Sequence, residues 1–291
     1  MRRPVCRTAP LFLIFWAGAI LPLSAQVRPT AIHVDARRAS AFQFSGPMRQ
    51  SGIVTGVAPS GTASLTLDGQ DVPYAADRQF ILGFDRDQAG EAQLVATLGD
   101  GSILRQVLRI LPEAWQIEHV DIARRPKGPS ADYLRVRQGE LARIAAARAV
   151  RESSEGWRQT FIWPATGRIS GVFGSQRIYR GEAASFHSGV DVAAGAGATV
   201  ATPADGVVVL AGPPSFSLEG NLVIVDHGMG LNSAFLHLAE VNVREGQVLR
   251  QGQLIGTVGS TGRATGPHLH WSMKWKDARI DPQALAGPMR R

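Results

Sequence analysis

The chain has 291 residues, of which 44% are hydrophobic and 19% are charged, so it can bury a sizeable core and is too apolar for wholesale disorder. Its single cysteine excludes a disulfide scaffold and a zinc site built from several thiolates. The 32 glycines and 17 prolines favour β-structure over a helix bundle, and the scattered positive charge, +7 in total, lacks the aromatic-interleaved basic patch expected for nucleic-acid binding.

The N-terminus has the pattern of a secretory signal peptide. Three arginines precede a short apolar run at residues 11–20, and Pro22 and the small residues Ser24 and Ala25 follow it. The run is shorter than the roughly 18 to 20 residues that a membrane-spanning helix needs. We therefore predict a signal peptide at residues 1–25, export to the periplasm or cell envelope, and a mature net charge of +4 after the three arginines are removed.

Residues 26–112 are predicted to form a β-rich accessory domain. Short apolar segments alternate with turn signals such as Asp68-Gly69, which is typical of a small β-sandwich. The predicted strands are 53–57, 63–67, 80–84, 92–96 and 103–108. Because no cluster of reactive side chains occurs here, we interpret the region as a spacer or docking module.

Residues 113–160 are predicted to be a linker that contains an amphipathic helix. A basic, proline-bearing segment at 123–129 precedes a strongly helix-forming segment at 140–151. Within that segment Leu141, Ile144 and Arg148 recur at helical spacing, which favours a single helix packed on a neighbouring element.

Residues 161–291 are predicted to form a second β-domain. Buried strands are expected at 207–210, 222–225 and 254–258, and segment 243–256 is expected to be a strand, a turn and a strand. Dense glycine between such short strands is typical of a tightly wound antiparallel barrel or sandwich, so the predicted fold class of the whole chain is mainly β.

Five of the seven histidines follow residue 186, and four polar residues there form two spaced pairs. His187 and Asp191 lie four residues apart, in a segment whose Gly189 favours a loop that enters a strand. His268 and His270 lie two apart, so on a strand both rings would point to the same face.

These pairs supply the donors of a catalytic zinc site. Such a site needs three nitrogen or oxygen ligands and one open position for water. His187, Asp191 and one histidine of the second pair provide that set, while the other histidine could shuttle protons. Zinc lowers the pKa of its bound water to about 7, and this chemistry hydrolyses amides.

Several ordered segments resemble the lysostaphin/LytM-type zinc metallopeptidases, which cut cross-links or stem peptides of bacterial cell walls. The similarity covers residues 161–282 and does not include residues 27–112. It rests on five segments: Gly167–Gly174, His187–Asp191, Phe235–Leu238, Gly259–Gly262 and His268–Trp271.

The resemblance implies a role for each of five residues. His187, Asp191 and His270 would be the zinc ligands. His268 would be the general base and acid beside the metal-bound water, and His237 would help to stabilise the oxyanion. All five positions carry the residue that the family requires, which speaks against a member that has lost its ligands.

Some nearby residues depart from the family pattern or allow two interpretations. Phe235 stands where relatives commonly carry tyrosine, so a substrate contact could be missing, and Trp271 replaces a more usual phenylalanine in the same wall. His227 is expected to have a structural turn role. Arg177 and Tyr179 either border the substrate groove or belong to a solvated loop, and the loop is the expectation.

We therefore predict an exported, zinc-dependent endopeptidase that acts on peptidoglycan, with a D-alanyl–diaminopimelate cross-link as the preferred bond. The alternative is a catalytically silent wall-binding module that activates a wall amidase. Segment 243–256 also resembles the hairpin of a lipoyl or biotinyl carrier, but no modifiable lysine lies at its tip.

Overall fold

The computed structural model describes residues 41–123 and 130–289, all of which belong to one compact unit. The predicted signal peptide lies outside the described residues, as does most of the basic segment at 123–129. In the part of the chain that is described, no helix is both long enough and apolar enough to cross a membrane. The predicted boundaries at residues 26–112 and 161–291 stay predictions.

Seven of the eight upstream strands form two small antiparallel sheets, ordered β1-β2-β5 and β4-β3-β6-β7, whereas β8 pairs with a strand further along the chain. All five predicted strands are present, and each lies within two residues of its expected bounds. The strands are β1 Gln43–Ser45, β2 Ile53–Val57, β3 Thr62–Leu67, β4 Gln70–Asp71, β5 Gln79–Gly83, β6 Glu91–Leu98, β7 Ile103–Arg109 and β8 Ile117–Val120. Their alternating burial, clearest in β6, explains why the sequence pattern predicted them well.

Ten of the twelve downstream strands build one large sheet along the path β17-β14-β15-β16-β19-β12-β9, with β18 and β13 joined through β16 and β20 through β19; β10 and β11 belong to a smaller sheet. The strands are β9 Arg168–Gly171, β10 Gln176–Tyr179, β11 Glu182–Ala183, β12 Val190–Ala193, β13 Thr199–Ala201, β14 Gly206–Leu210, β15 Asn221–Asp226, β16 Leu231–Val241, β17 Val248–Leu249, β18 Leu254–Val258, β19 Leu269–Trp275 and β20 Ala278–Ile280. The path does not close among the described strands, so the mainly β fold is sandwich-like and not a barrel.

A continuous hydrophobic core joins the upstream strands to the large sheet. Phe80 and Phe84 are fully buried, and the same cluster includes Trp275 and Ile280 from β19 and β20. Gly83 lies so close to Trp275 that a Cβ atom would come within 2.7 Å of its side chain. The upstream region is therefore packed firmly against the sheet that carries the predicted site.

Segment 243–256 has the predicted strand, turn and strand, but the two strands do not form a hairpin. β17 and β18 do follow each other across a turn, but they do not pair with each other. β17 pairs with β14, whereas β18 pairs with β13 and β16. The local pattern identified two extended segments correctly, but their partners are distant in sequence.

The linker contains helix α1 at Ala131–Ala149, which begins nine residues earlier than predicted because Ser130 caps it by accepting a hydrogen bond from the Tyr133 N–H at 3.2 Å. A short 3₁₀ turn at Gly156–Arg158 and helix α2 at Pro282–Ala286 complete the described helices.

The prediction of which residues form the apolar face of α1 is wrong in part. Ile144 and Ala147 do pack on the sheet, but Leu141 is half exposed. In its place the helix turns Arg137 and Glu140 inward, with side-chain exposures of 13% and 12%. The helix is held by ion pairs as well as by apolar contact, which the hydrophobic pattern does not register.

Candidate metal centre and active site

Strand pairing brings the first two predicted ligands together. β12 and β19 run antiparallel, and Asp191 on β12 lies directly opposite His270 on β19. Side chains at directly opposed positions share a face and lie close to each other. The Asp191 Oδ1 atom is 2.9 Å from His270 Nδ1 as a result.

His187 joins this pair from the loop that enters β12. Its Nε2 atom lies 3.1 Å from Asp191 Oδ1 and 3.1 Å from His270 Nδ1. Two glycines make room for the cluster. A Cβ atom on Gly189 would lie 2.6 Å from His270 Nε2, and one on Gly171 would lie 2.4 Å from Asp191 Oδ2, so a larger residue at either position would displace a donor.

The donor set fits a zinc ion. The three donor atoms lie 2.9–3.1 Å from one another. Ligands bound tetrahedrally at about 2.0–2.2 Å would be separated by roughly 3.3 Å, so only small adjustments are required. The Nδ1–H of His187 donates to the Val172 carbonyl at 3.0 Å, which leaves the Nε2 lone pair directed to the cluster.

For Asp191 and His270, burial and hydrogen bonding favour the protonation states that metal ligands need, whereas His187 would have to lose a proton on binding a cation. Burial alone would raise the pKa of Asp191, but hydrogen bonds from His187 and His270 outweigh it and hold that pKa well below its usual range. Burial lowers the pKa of His270. For His187, the hydrogen bond and charge of Asp191 outweigh burial and raise the pKa. An ionised carboxylate and a neutral His270 are ready to bind a cation.

The two remaining predicted residues lie beside the cluster and outside the donor set. His268 immediately precedes β19, and its Nε2 atom is 3.7 Å from Asp191 Oδ1. The ring of His237, on β16, lies 4.9 Å from the ring of His268 and 6.2 Å from that of His270. The structure therefore brings all five predicted site residues together, and it places His270, not His268, among the three donors.

Backbone carbonyls decide which ring nitrogens of these two histidines carry the proton. Nδ1 of His268 is 2.8 Å from the Gly266 oxygen, and Nδ1 of His237 is 2.9 Å from the Thr261 oxygen. A carbonyl oxygen only accepts, so each Nδ1 is the donor and each Nε2 carries the lone pair when the ring is neutral. Burial lowers the pKa of His237, which favours that neutral form.

An open groove of about 620 Å³ extends from the cluster along a second, smaller sheet. In that sheet β10 pairs with β11 and, in parallel, with β8 from the upstream linker. Arg177 and Tyr179 are therefore strand residues on the groove wall, and the expectation of a solvated loop was wrong. Residues that line the groove include Glu118, Arg177, Tyr179, His187, Asp191 and Arg263.

Sequence reasoning missed Glu118 and Arg263. Glu118 accepts an ion pair from Arg177 at 2.6 Å, with both side chains about 60% exposed. Its segment, 117–120, was part of the predicted linker, where no local signal indicates that a strand will join β10. Arg263 lies in the glycine-bearing loop between β18 and β19.

Both residues that depart from the family pattern lie in the core. Phe235 and Trp271 are opposite each other on β16 and β19, and neither is exposed. Trp271 packs edge-on against Trp163 with ring centroids 5.7 Å apart. Neither side chain lines the groove, so these substitutions change packing and not a surface that a substrate would contact.

His227 has a structural environment, in agreement with the prediction. It is fully buried, with Nδ1 2.8 Å from the Asp205 carbonyl oxygen and Nε2 2.9 Å from the Ser233 hydroxyl. Burial lowers the pKa of His227 to about 4. The ring is therefore a neutral part of the core and does not belong to the donor cluster.

That buried ring is expected to make the protein less stable in mild acid. Between pH 6.5 and pH 4 the unfolded chain binds a proton at His227 and the folded chain does not, so the free energy of unfolding falls as the pH falls. The difference amounts to about 3 kcal/mol across this range. Urea unfolding of the wild type and of His227→Gln at several pH values measures it. Equal pH slopes for the two proteins would contradict the assignment.

The fold and the cluster together define a class of protein: an antiparallel β-sandwich with a candidate mononuclear metal centre at the end of a groove. Residues 185–282 match the profile of Peptidase family M23. This stretch of the chain therefore matches a domain of that family, in agreement with the resemblance inferred from the sequence motifs.

Relatives with curated names share about 120 residues with this chain. It is 38% identical over 121 residues to the DD-carboxypeptidase/endopeptidase Mpg of Neisseria meningitidis and 39% identical over 123 residues to the peptidoglycan DD-endopeptidase ShyA of Vibrio cholerae. It is also 33% identical over 123 residues to the murein hydrolase activator NlpD of Escherichia coli. Each match covers 42% of this chain but only 27–30% of the relative.

One solved structure resembles nearly the whole described fold. A crystal structure from Pseudomonas aeruginosa, provisionally assigned as a peptidase M23, superposes with a TM-score of 0.64 at 26% sequence identity. The similarity covers 87% of this chain and 98% of that one. The combination of upstream strands and large sheet therefore occurs in another protein as well.

Proposed function

We propose that the protein is an exported, zinc-dependent endopeptidase that hydrolyses peptide bonds in bacterial peptidoglycan. The observation that carries the proposal is the convergence of His187, Asp191 and His270 at one end of an open groove, with two further histidines beside them. The names of the relatives Mpg and ShyA support peptidoglycan as the substrate.

The three donors would hold the zinc ion, which supplies a polarised water molecule and a Lewis acid for the scissile carbonyl. His268 would accept the proton of the attacking water at Nε2, because its Nδ1 is already used by Gly266. The same nitrogen would then deliver the proton to the leaving amine. His237 would donate to the developing oxyanion from Nε2, since its Nδ1–H is used by Thr261. Because burial favours the neutral ring, His237 would first have to take up a proton at that nitrogen.

The groove chemistry suits a peptide that carries carboxylates. Arg177 lines one wall, and Arg263 lies at the same groove. Glu118 neutralises Arg177, but a pair this exposed contributes little and a substrate carboxylate could displace it. Peptidoglycan stem peptides carry such groups, and a D-alanyl–diaminopimelate cross-link remains the bond that we propose.

Digestion of purified sacculi tests this function. The mature protein with zinc is expected to release peptides whose masses identify the cleaved bond. Exhaustive chelation should abolish release, and stoichiometric zinc should restore it, because in this mechanism the metal ion activates the attacking water. Release that survives complete removal of metal, or no release with zinc bound, would contradict the proposal.

A wall-binding activator is the second candidate, and the similarity to the activator NlpD is the observation that favours it. The complete donor set and the two flanking histidines favour the peptidase. Stimulation of a purified wall amidase by a protein that releases no peptides itself would support the activator instead.

A further inference from the structure

Helix α1 presents a charged stripe to the large sheet and its loops. Arg137, Glu140, Ile144 and Ala147 recur at helical spacing, and the first two have side chains only 12–13% exposed. Burial of charged groups is costly unless they are paired. The residues that pair with Arg137 and Glu140 therefore show which part of the fold the helix stabilises.

The partners outside the helix, Ser217 and Glu219, lie in one loop, residues 211–220, between β14 and β15. Both terminal nitrogens of Arg137 contact the Glu219 carboxylate, each at 2.6 Å, and one of them contacts Glu140 at 2.9 Å. Glu140 in turn accepts hydrogen bonds from the Ser217 N–H at 2.6 Å and from its hydroxyl at 2.7 Å. Two-pronged arginine–carboxylate contacts are strong and define the orientation of both groups.

The same loop holds the backbone of His237. The Glu219 carbonyl accepts the His237 N–H at 2.9 Å. His237 has a φ angle of +64°, in the left-handed region that costs a residue with a side chain about 1 kcal/mol or more. Such a conformation persists only when surrounding contacts enforce it, and Glu219 supplies one of them.

A second loop holds the ring of the same histidine and touches the first loop. Thr261 accepts the His237 Nδ1–H through its carbonyl and accepts the Asn221 N–H through its hydroxyl. A Cβ atom on Gly220 would lie 2.4 Å from the carbonyl carbon of Thr261, so the backbones of the two loops are in contact. Displacement of Glu219 would therefore disturb both the backbone and the ring of His237.

We propose that α1 positions the catalytic centre: Arg137, acting through Glu219, holds His237 in the orientation that the reaction needs. Arg137 is a positioning residue, because it contacts neither the donor cluster nor any residue that lines the groove described above. The inference rests on the proposed function for its catalytic consequence, but the restraint on the His237 backbone can be measured without activity.

The kinetic test compares Arg137→Ala with Arg135→Ala, a matched control. Arg135 lies on the same helix, is 80% exposed and pairs with its neighbour Asp132 at 3.3 Å. We expect Arg137→Ala to lower kcat on a soluble cross-linked muropeptide about 10-fold or more, because small misplacement of a catalytic group is costly. KM and bound zinc should be nearly unchanged, and Arg135→Ala should behave as wild type.

Two further variants separate positioning from a general loss of stability. Arg137→Lys keeps the charge but not the two-pronged contact, so it should restore kcat only in part. The double variant Arg137→Ala/Glu219→Gln should be little worse than either single variant, because the two residues act as one unit. Additive losses, or a kcat for Arg137→Ala equal to that of Arg135→Ala, would overturn the inference.

Hydrogen exchange at the His237 amide supplies the readout that is independent of activity. NMR of the ¹⁵N-labelled full chain should show faster exchange of this amide in Arg137→Ala than in Arg135→Ala or wild type. Equal exchange rates would overturn the positioning role, whatever the activity. If wild type hydrolyses nothing, the proposed function fails, while the exchange measurement still decides whether Arg137 restrains His237.

Discussion

Replacement of His270 by alanine is expected to remove zinc binding and hydrolysis together. His270 Nδ1 lies 2.9 Å from Asp191 Oδ1 and 3.1 Å from His187 Nε2, so its loss leaves two donors where a catalytic zinc site needs three. Without the ion, water at neutral pH is a poor nucleophile. We expect kcat/KM on cross-linked muropeptides to fall by about 10³-fold or more.

The measurement pairs zinc content, by atomic emission of the dialysed protein, with peptide release. His119→Ala is the matched control, since this histidine is exposed on β8 and lies outside the donor cluster. A His270→Ala protein that retains one zinc and wild-type hydrolysis would disprove the assignment. If the protein is an amidase activator instead, peptide release is absent from the start and His270→Ala still activates the partner.

Replacement of His268 by alanine is expected to separate catalysis from metal binding. Its Nε2 atom stands 3.7 Å from Asp191 Oδ1, beyond the 2.9–3.1 Å separations of the three donors. The variant should keep its zinc, while loss of the general base should lower kcat by about 10²–10⁴-fold.

The comparison with His270→Ala makes this second expectation specific. Two histidines two residues apart should give opposite zinc results, although both lose hydrolysis. Loss of zinc in His268→Ala would identify it as a ligand and exchange the two roles. Retention of both zinc and full kcat would show that His268 is not the general base, and another residue would have to accept the proton.

Residue spacing alone predicted the strands and the elements of the metal site. The alternation of apolar residues located five of the eight upstream strands, and the pairs His187/Asp191 and His268/His270 contain four of the five residues that converge in the structure. Residue spacing did not predict that α1 turns Arg137 and Glu140 inward while Leu141 stays exposed. A hydrophobic pattern predicts that charged residues are exposed. Arg137 and Glu140 are buried because they pair with residues of a distant segment, which the pattern does not show.

The sequence by itself determined which residues could bind a metal and which segments are extended, because both depend on residue type and on neighbours only a few positions away. Residue spacing left open which histidine of the second pair joins Asp191, and the family resemblance implied His270. The physical reason lies in the tertiary structure, because the register of β12 against β19 places His270 opposite Asp191. Tertiary structure also decided that β8 lines the groove and that Glu219 links α1 to His237. Pairing between segments far apart in the chain depends on the packing of the whole fold, so it cannot be predicted from local periodicity.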